Sequence, residues 1–95
     1  MRVLISGGSR GIGRSCVGRF CRDGHHVVFL YRSSQTEAEA LMKQTGACGI
    51  CCDVSDSRAV REAVQLALNH MGGIDVLINN AGIAHFKLFT ELSDE

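Results

Sequence analysis

Val3-Leu4-Ile5-Ser6-Gly7-Gly8-Ser9-Arg10-Gly11-Ile12-Gly13 is the stretch whose reading decides the fold. A short apolar run turns on glycines into a segment of helical period. Gly11 and Gly13 lack a Cβ, so a diphosphate can come close to the backbone. A helix that starts there aims unpaired N–H groups, and the positive end of its dipole, at the anion. The spacing is Gly7-x-x-x-Gly11-x-Gly13 rather than G-x-G-x-x-G, and its place between a strand and a helix strengthens the phosphate reading. Two other readings of the same residues stay open. One is a glycine-rich turn that needs only positive φ. The other is a serine-hydrolase elbow, because Gly7-Gly8-Ser9-Arg10-Gly11 also fits G-x-S-x-G. That elbow requires an acid and then a histidine on later strands, and the later histidine of interest is His85, which reads better as part of a surface loop.

Strand-like apolar runs and helix-period stretches alternate along the rest of the chain. Val3 to Ser6 reads as the first strand. Gly11 to Arg22 reads as the first helix, with Ile12, Cys16, Val17 and Phe20 on one stripe and Gly24 closing it. Val27-Val28-Phe29-Leu30 is apolar on both faces, as a buried parallel strand is. Ser34 to Gln44 forms a second helix with Ala38, Leu41 and Met42 inward and Gly46 after it. Ala47 to Cys52 is the third strand. Ser55 is placed to cap a third helix whose Val60, Val64, Ala67, Leu68 and Met71 keep a 3.6-residue period up to Gly72-Gly73. Val76-Leu77-Ile78 is the fourth strand, and Asn79-Asn80-Ala81-Gly82 turns out of it. The order β-α-β-α-β-α-β predicts an α/β fold, a doubly wound parallel sheet with helices on both faces. Ser93-Asp94-Glu95 reads as the cap and first turn of a further helix, so the chain is expected to be the front part of a larger domain. Four strands alone leave an edge and apolar helix faces uncovered, which predicts an isolated segment that is marginally stable or aggregation-prone.

Composition narrows the function. Ten basic and ten acidic residues among 95 cancel, so no electrostatic attraction to nucleic acid or to an anionic membrane is expected. No apolar run is long enough to span a bilayer. Five cysteines, Cys16, Cys21, Cys48, Cys51 and Cys52, form neither a paired disulfide framework nor repeated zinc spacing. They read as reduced thiols of a cytoplasmic protein. His25, His26 and His70 read as surface residues.

The candidate ligand contacts follow strand ends. No acid ends the second strand, where a carboxylate would accept from ribose hydroxyls; Tyr31-Arg32-Ser33-Ser34 stands there instead. Arg32, with Arg10 in the glycine loop, suits a 2′-phosphate, which argues for NADP(H) over NAD(H). The alternative reading is two solvated surface arginines. Asp53-Val54 ends the third strand, where the carboxylate can accept from an exocyclic amino group or serve as a turn residue before Ser55. The small residues after Asn79 allow close approach of a ligand, or make a simple turn.

Taken together, these residues resemble the short-chain dehydrogenase/reductase family over essentially the whole chain. Ser6-Gly7-Gly8-Ser9-Arg10-Gly11-Ile12-Gly13 resembles the family's T-G-x-x-x-G-I-G, with Ser in place of Thr. Asp53-Val54 is similar to its adenine-contacting pair, and Asn79-Asn80-Ala81-Gly82 to its N-N-A-G element. Within the family the chain looks most like bacterial 3-oxoacyl-carrier-protein reductases. The resemblance implies a Rossmann-type fold and cofactor contacts at Gly7, Gly8, Ser9, Arg10, Gly11, Ile12, Gly13, Arg32, Asp53, Val54, Asn79, Ala81 and Gly82. It implies an NADP(H)-dependent oxidoreductase acting on a small carbonyl, alcohol or acyl-carrier substrate, assembled as a homo-oligomer at full length. The family's Tyr-x-x-x-Lys proton donor has no counterpart here, since Tyr31 is the single tyrosine and Gln35 stands four residues on. The expectation is therefore a segment with the cofactor half and no catalytic residues. The alternative is a non-catalytic nucleotide-binding or interaction module, should the 95 residues be the whole product.

Overall fold

A computed structural model describes residues 1–7 and 11–79, except for the side chain of Ile12. The elements run β1 (Arg2–Ser6), α1 (Gly11–Arg22), β2 (His26–Tyr31), α2 (Gln35–Thr45), β3 (Cys48–Cys51), α3 (Ser57–Met71) and β4 (Val76–Asn79). The strands form one parallel sheet in the order β3-β2-β1-β4. The doubly wound parallel sheet read from the sequence is the fold observed. The proposed turn residues Asn80, Ala81 and Gly82, with His85 and Ser93-Asp94-Glu95, lie outside the described residues.

Alternation along the strands divides the core in two. Val3, Ile5, Val27 and Phe29 point to one face, where they meet Val17 of α1 and Ala38 and Leu41 of α2. Leu4, Val28 and Leu30 point to the other, against Val60, Ala63, Val64, Ala67 and Met71 of α3. Strands buried on both sides cannot alternate apolar with polar, which is why β1 and β2 read as unbroken apolar runs. Burying each such side chain contributes about 1.5–3 kcal/mol.

Caps set the helix limits. Asp56, not Ser55, caps α3: its carboxylate accepts from the backbone N–H groups of Arg58 at 3.0 Å and Ala59 at 3.3 Å. Both residues have hydrogen-bonding side chains, so composition left the choice open, and backbone geometry at Asp56 settles it. Gly46 and Gly72 close α2 and α3, each donating to the carbonyl four residues back.

At the N-terminal ends of the strands, Arg2 and Asp75 form a bidentate clasp. Nε and Nη2 of Arg2 donate to the Asp75 carboxylate at 3.0 and 2.9 Å, and Nη1 donates to the Gly72 carbonyl at 2.9 Å. The Arg2 backbone N–H adds a bond to the same carboxylate at 2.8 Å. These bonds hold the Asp75 carboxyl well below the usual carboxylate range. His26 and His70, both exposed, meet edge to face nearby with ring centroids 5.1 Å apart. His25 departs from the surface reading: it is half-buried, its ring 5.6 Å from that of Phe20.

Two predictions follow from this packing. An ideal Cβ on Gly49 would lie 2.7 Å from Phe29 Cζ and 3.2 Å from Tyr31 Cε1. Gly49→Ala is expected to cost about 1–3 kcal/mol in urea unfolding, the usual range for overpacking. A depressed carboxyl contributes stability above its unfolded value, about 3.9, and that contribution is lost as pH falls toward the folded value. The parent is therefore expected to lose stability below about pH 4 more steeply than Asp75→Asn, read from thermal melts across pH.

Candidate functional site

The parallel register brings the C-terminal ends of the strands to one edge. Ser6 aligns with Leu30 of β2 and with Asn79 of β4, and Tyr31 aligns with Cys51 of β3. Gly7, Arg32, Asp53 and Asn79 therefore share that edge. Strand order reverses at β1, with β2 on one side and β4 on the other, and in open α/β sheets such a switch point is where a crevice forms.

The turn from β1 to α1 is bracketed by two left-handed glycines, Gly7 at φ 75° and Gly11 at φ 61°. A residue with a Cβ would strain the backbone at both. The turn reading is thus correct in its own terms, and it is compatible with an anion site. Around Gly11 there is open space where a side chain would stand. The first turn of α1 carries no acidic residue to fill the N-terminus or repel an anion. Gly13 is buried within that helix. The donor set (helix amides without a competing acid) fits a phosphate. Gly8, Ser9, Arg10, Ala81 and Gly82 lie outside the described residues, as does the side chain of Ile12.

Ser6, fully buried at the end of β1, donates its hydroxyl to Asn79 Oδ1 at 2.9 Å. This bond ties β1 to β4 beside the glycine turn. The next strands carry the charged part of the edge. Arg32 Nη2 lies 3.8 Å from Asp53 Oδ2, with the two side chains 72% and 41% exposed. The arginine is thus surface-exposed but not isolated. Asp53 Oδ1 accepts from the Ser55 backbone N–H at 3.0 Å and from the Ser55 hydroxyl at 2.7 Å, an Asx turn. The Cys51 thiol donates to the Arg32 carbonyl at 3.4 Å. Val54 is half-buried against the α3-side core. The sequence reading of Arg32 and Asp53 missed their pairing. Their strand ends become neighbours only through the β2–β3 register.

Two groups near this edge are tuned away from reactivity. Burial, then the charge on Cys51, raises the Tyr31 phenol. A proton-donating tyrosine needs the opposite shift. Burial, then Asp53, raises the Cys52 thiol, so it is a poor nucleophile. All five cysteines are free thiols, and among the described residues no group of three or more His, Cys, Asp and Glu is placed to hold a metal ion. No described helix is long and apolar enough to cross a membrane. An open groove lined by Arg14, Arg19, Arg22, Leu41 and Gln44 runs between α1 and α2, away from the strand C-termini.

A family model described as short chain dehydrogenase matches residues 1–95. The chain belongs to the short-chain dehydrogenase family. It is 43% identical over 91 residues to an Escherichia coli protein named as a cyclic-di-GMP-binding biofilm dispersal mediator, covering 96% of this chain and 37% of that one. A Burkholderia cenocepacia short chain dehydrogenase solved in complex with NADP superposes with a TM-score of 0.82 at 40% identity, over 86% of this chain and 36% of that one. A Brucella melitensis 3-ketoacyl-(acyl-carrier-protein) reductase complexed with NADH superposes with a TM-score of 0.78 at 35% identity, over 85% of this chain and 34% of that one. The chain thus spans well under half the length of the relatives it matches. The Rossmann-like sheet and the resemblance to acyl-carrier-protein reductases both stand on these similarities.

Ser6 generates a test of the edge itself. Ser6→Ala removes a buried donor and is expected to cost about 1–2 kcal/mol in urea unfolding, with the β1–β4 junction losing amide exchange protection first.

Proposed function

We propose that this chain is the cofactor-binding part of an NADP(H)-dependent oxidoreductase that interconverts a carbonyl and an alcohol. The observation that carries the reading is the shared edge: the α1 N-terminus behind Gly7 and Gly11, with Arg32 after the adjacent strand β2 and Asp53 after β3, one strand further on. Gly7, Gly11 and Gly13, with Gly8, Ser9, Arg10 and Ile12, would hold the pyrophosphate against helix amides. Arg32, helped by Arg10, would receive a 2′-phosphate. Asp53 and Val54 would bound the adenine, and Asn79, Ala81 and Gly82 would line the approach to the nicotinamide side. The bound dinucleotide supplies the hydride, and these residues supply position and charge. The raised Tyr31 phenol is unsuited to proton transfer.

The substrate class proposed is a small carbonyl, an alcohol or an acyl-carrier thioester, in a homo-oligomeric full-length protein of the cytoplasm. Support for the acyl-carrier option is the likeness to the Brucella melitensis reductase. NADP(H) is preferred over NAD(H) on the strength of Arg32 and the missing carboxylate at the end of β2. A second reading, a nucleotide-binding module without catalysis, is favoured by the name of the Escherichia coli relative.

Titration of the full-length protein with NADPH, NADH and cyclic-di-GMP, followed by nicotinamide fluorescence and melting temperature, separates the two. The expected result is tightest binding of NADPH. Arg32→Asp should weaken NADPH by about 10- to 100-fold, the loss of one or more charge-assisted hydrogen bonds, and NADH far less. Equal losses would remove the arginine argument. Response to cyclic-di-GMP alone would install the second reading.

A further inference from the structure

Ser55 stands between β3 and α3 and is not the cap of α3, a role that Asp56 fills. Its hydroxyl has a different partner. Together with its own backbone N–H, it donates to Asp53 Oδ1, at 2.7 and 3.0 Å. The other carboxylate oxygen faces Arg32 Nη2 at 3.8 Å. That is the outer limit of ion-pair contact; the Arg2–Asp75 pair closes to 2.9 Å. Asp53 thus accepts two hydrogen bonds from Ser55 at one oxygen and pairs at longer range with Arg32 at the other.

We infer that Ser55 is a specificity-determining positioning residue: by tethering Asp53 it keeps Arg32 available to a 2′-phosphate on the adenosine ribose. This inference rests on the dinucleotide reading of the same edge. The balance of forces favours the tether. An exposed ion pair contributes little, because water screens it and both side chains lose freedom. Two short hydrogen bonds within a local turn are enough to restrain a carboxylate against so weak a pull. Without the Ser55 hydroxyl, Oδ1 of Asp53 loses the shorter of its two Ser55 bonds and keeps the backbone N–H bond, and the more loosely held carboxylate closes onto Arg32. It then occupies donors that a phosphate needs and sets a like charge beside it. A 2′-hydroxyl carries no charge, so the same movement matters little to it. The effect of Ser55 is thus selective for the phosphorylated cofactor, whereas a purely structural role would weaken both cofactors together.

The test measures dissociation constants for NADPH and NADH on the full-length protein and its Ser55→Ala, Ser55→Thr and Ser55→Ala/Asp53→Asn variants. Ser55→Ala is expected to weaken NADPH about fivefold, the worth of one net hydrogen bond, with NADH within about twofold of the parent. Ser55→Thr keeps the hydroxyl and the parental NADPH:NADH ratio. Adding Asp53→Asn to Ser55→Ala removes the competing charge and restores the ratio, even if both affinities fall. An unchanged ratio in Ser55→Ala, an equal loss of both cofactors, or a changed ratio that persists with Asp53→Asn overturns the inference. A parent protein that binds neither dinucleotide overturns the functional reading beneath it, whereas a parent that binds both with Ser55 indifferent overturns the tether alone.

Discussion

Val3, Leu4, Ile5 and Ser6 are each fully buried, with α1 and α2 over one face of their strand and α3 over the other. β1 is also paired on both edges, to β2 and to β4. A strand enclosed on four sides has no freedom of register, because a slip by one residue would exchange its two apolar faces. The reversal of strand order at β1 then follows from the crossovers. α1 and α2 carry the chain outward to β2 and β3, and α3 returns it across the other face to β4. In open α/β sheets such a reversal is where a ligand crevice forms.

The two ends of the sheet are built differently. At the N-terminal ends, Arg2 and Asp75 close a dense set of hydrogen bonds around the α3–β4 turn. At the C-terminal ends, the polar groups are more open. Ser6 and Asn79 are joined, Asp53 is tethered by Ser55, and Arg32 stands out into solvent. A short, saturated ion pair locks geometry, while an exposed one at longer range contributes little. The contrast between 2.9 Å and 3.8 Å in two Arg–Asp pairs of one small sheet is the electrostatic signature of that difference.

Helix α1 joins packing to the proposed chemistry. Val17 anchors it on the sheet, with Cys16, Phe20 and Cys21 packed around. Its first turn is thereby fixed against the end of β1, and Gly7 and Gly11 supply the two left-handed conformations that the tight connection demands. The same pair of glycines makes the turn and leaves open space where a side chain at position 11 would stand, so the steric reading is compatible with the proposed anion site.

The sequence by itself determined the element order, the parallel sheet and the family. Those depend on local periodicity: unbroken apolar runs mark strands covered on both faces, and the α3 stripe from Val60 to Met71 marks a helix with one buried side. Motif order likewise survives in one dimension, which is why the glycine turn, Asp53-Val54 and Asn79 were legible as a set. The tertiary structure alone decided which residues meet. Arg32 and Asp53 are 21 positions apart by number and become neighbours through the β2–β3 register. Ser6 reaches Asn79, and Arg2 reaches Asp75, across 73 positions each. Ser55 and Asp56 are equally good caps by composition, and only the direction of their side chains assigned one to the helix and the other to Asp53. Pairing across a sheet and the aim of a carboxylate are set by long-range packing, and no local pattern encodes them.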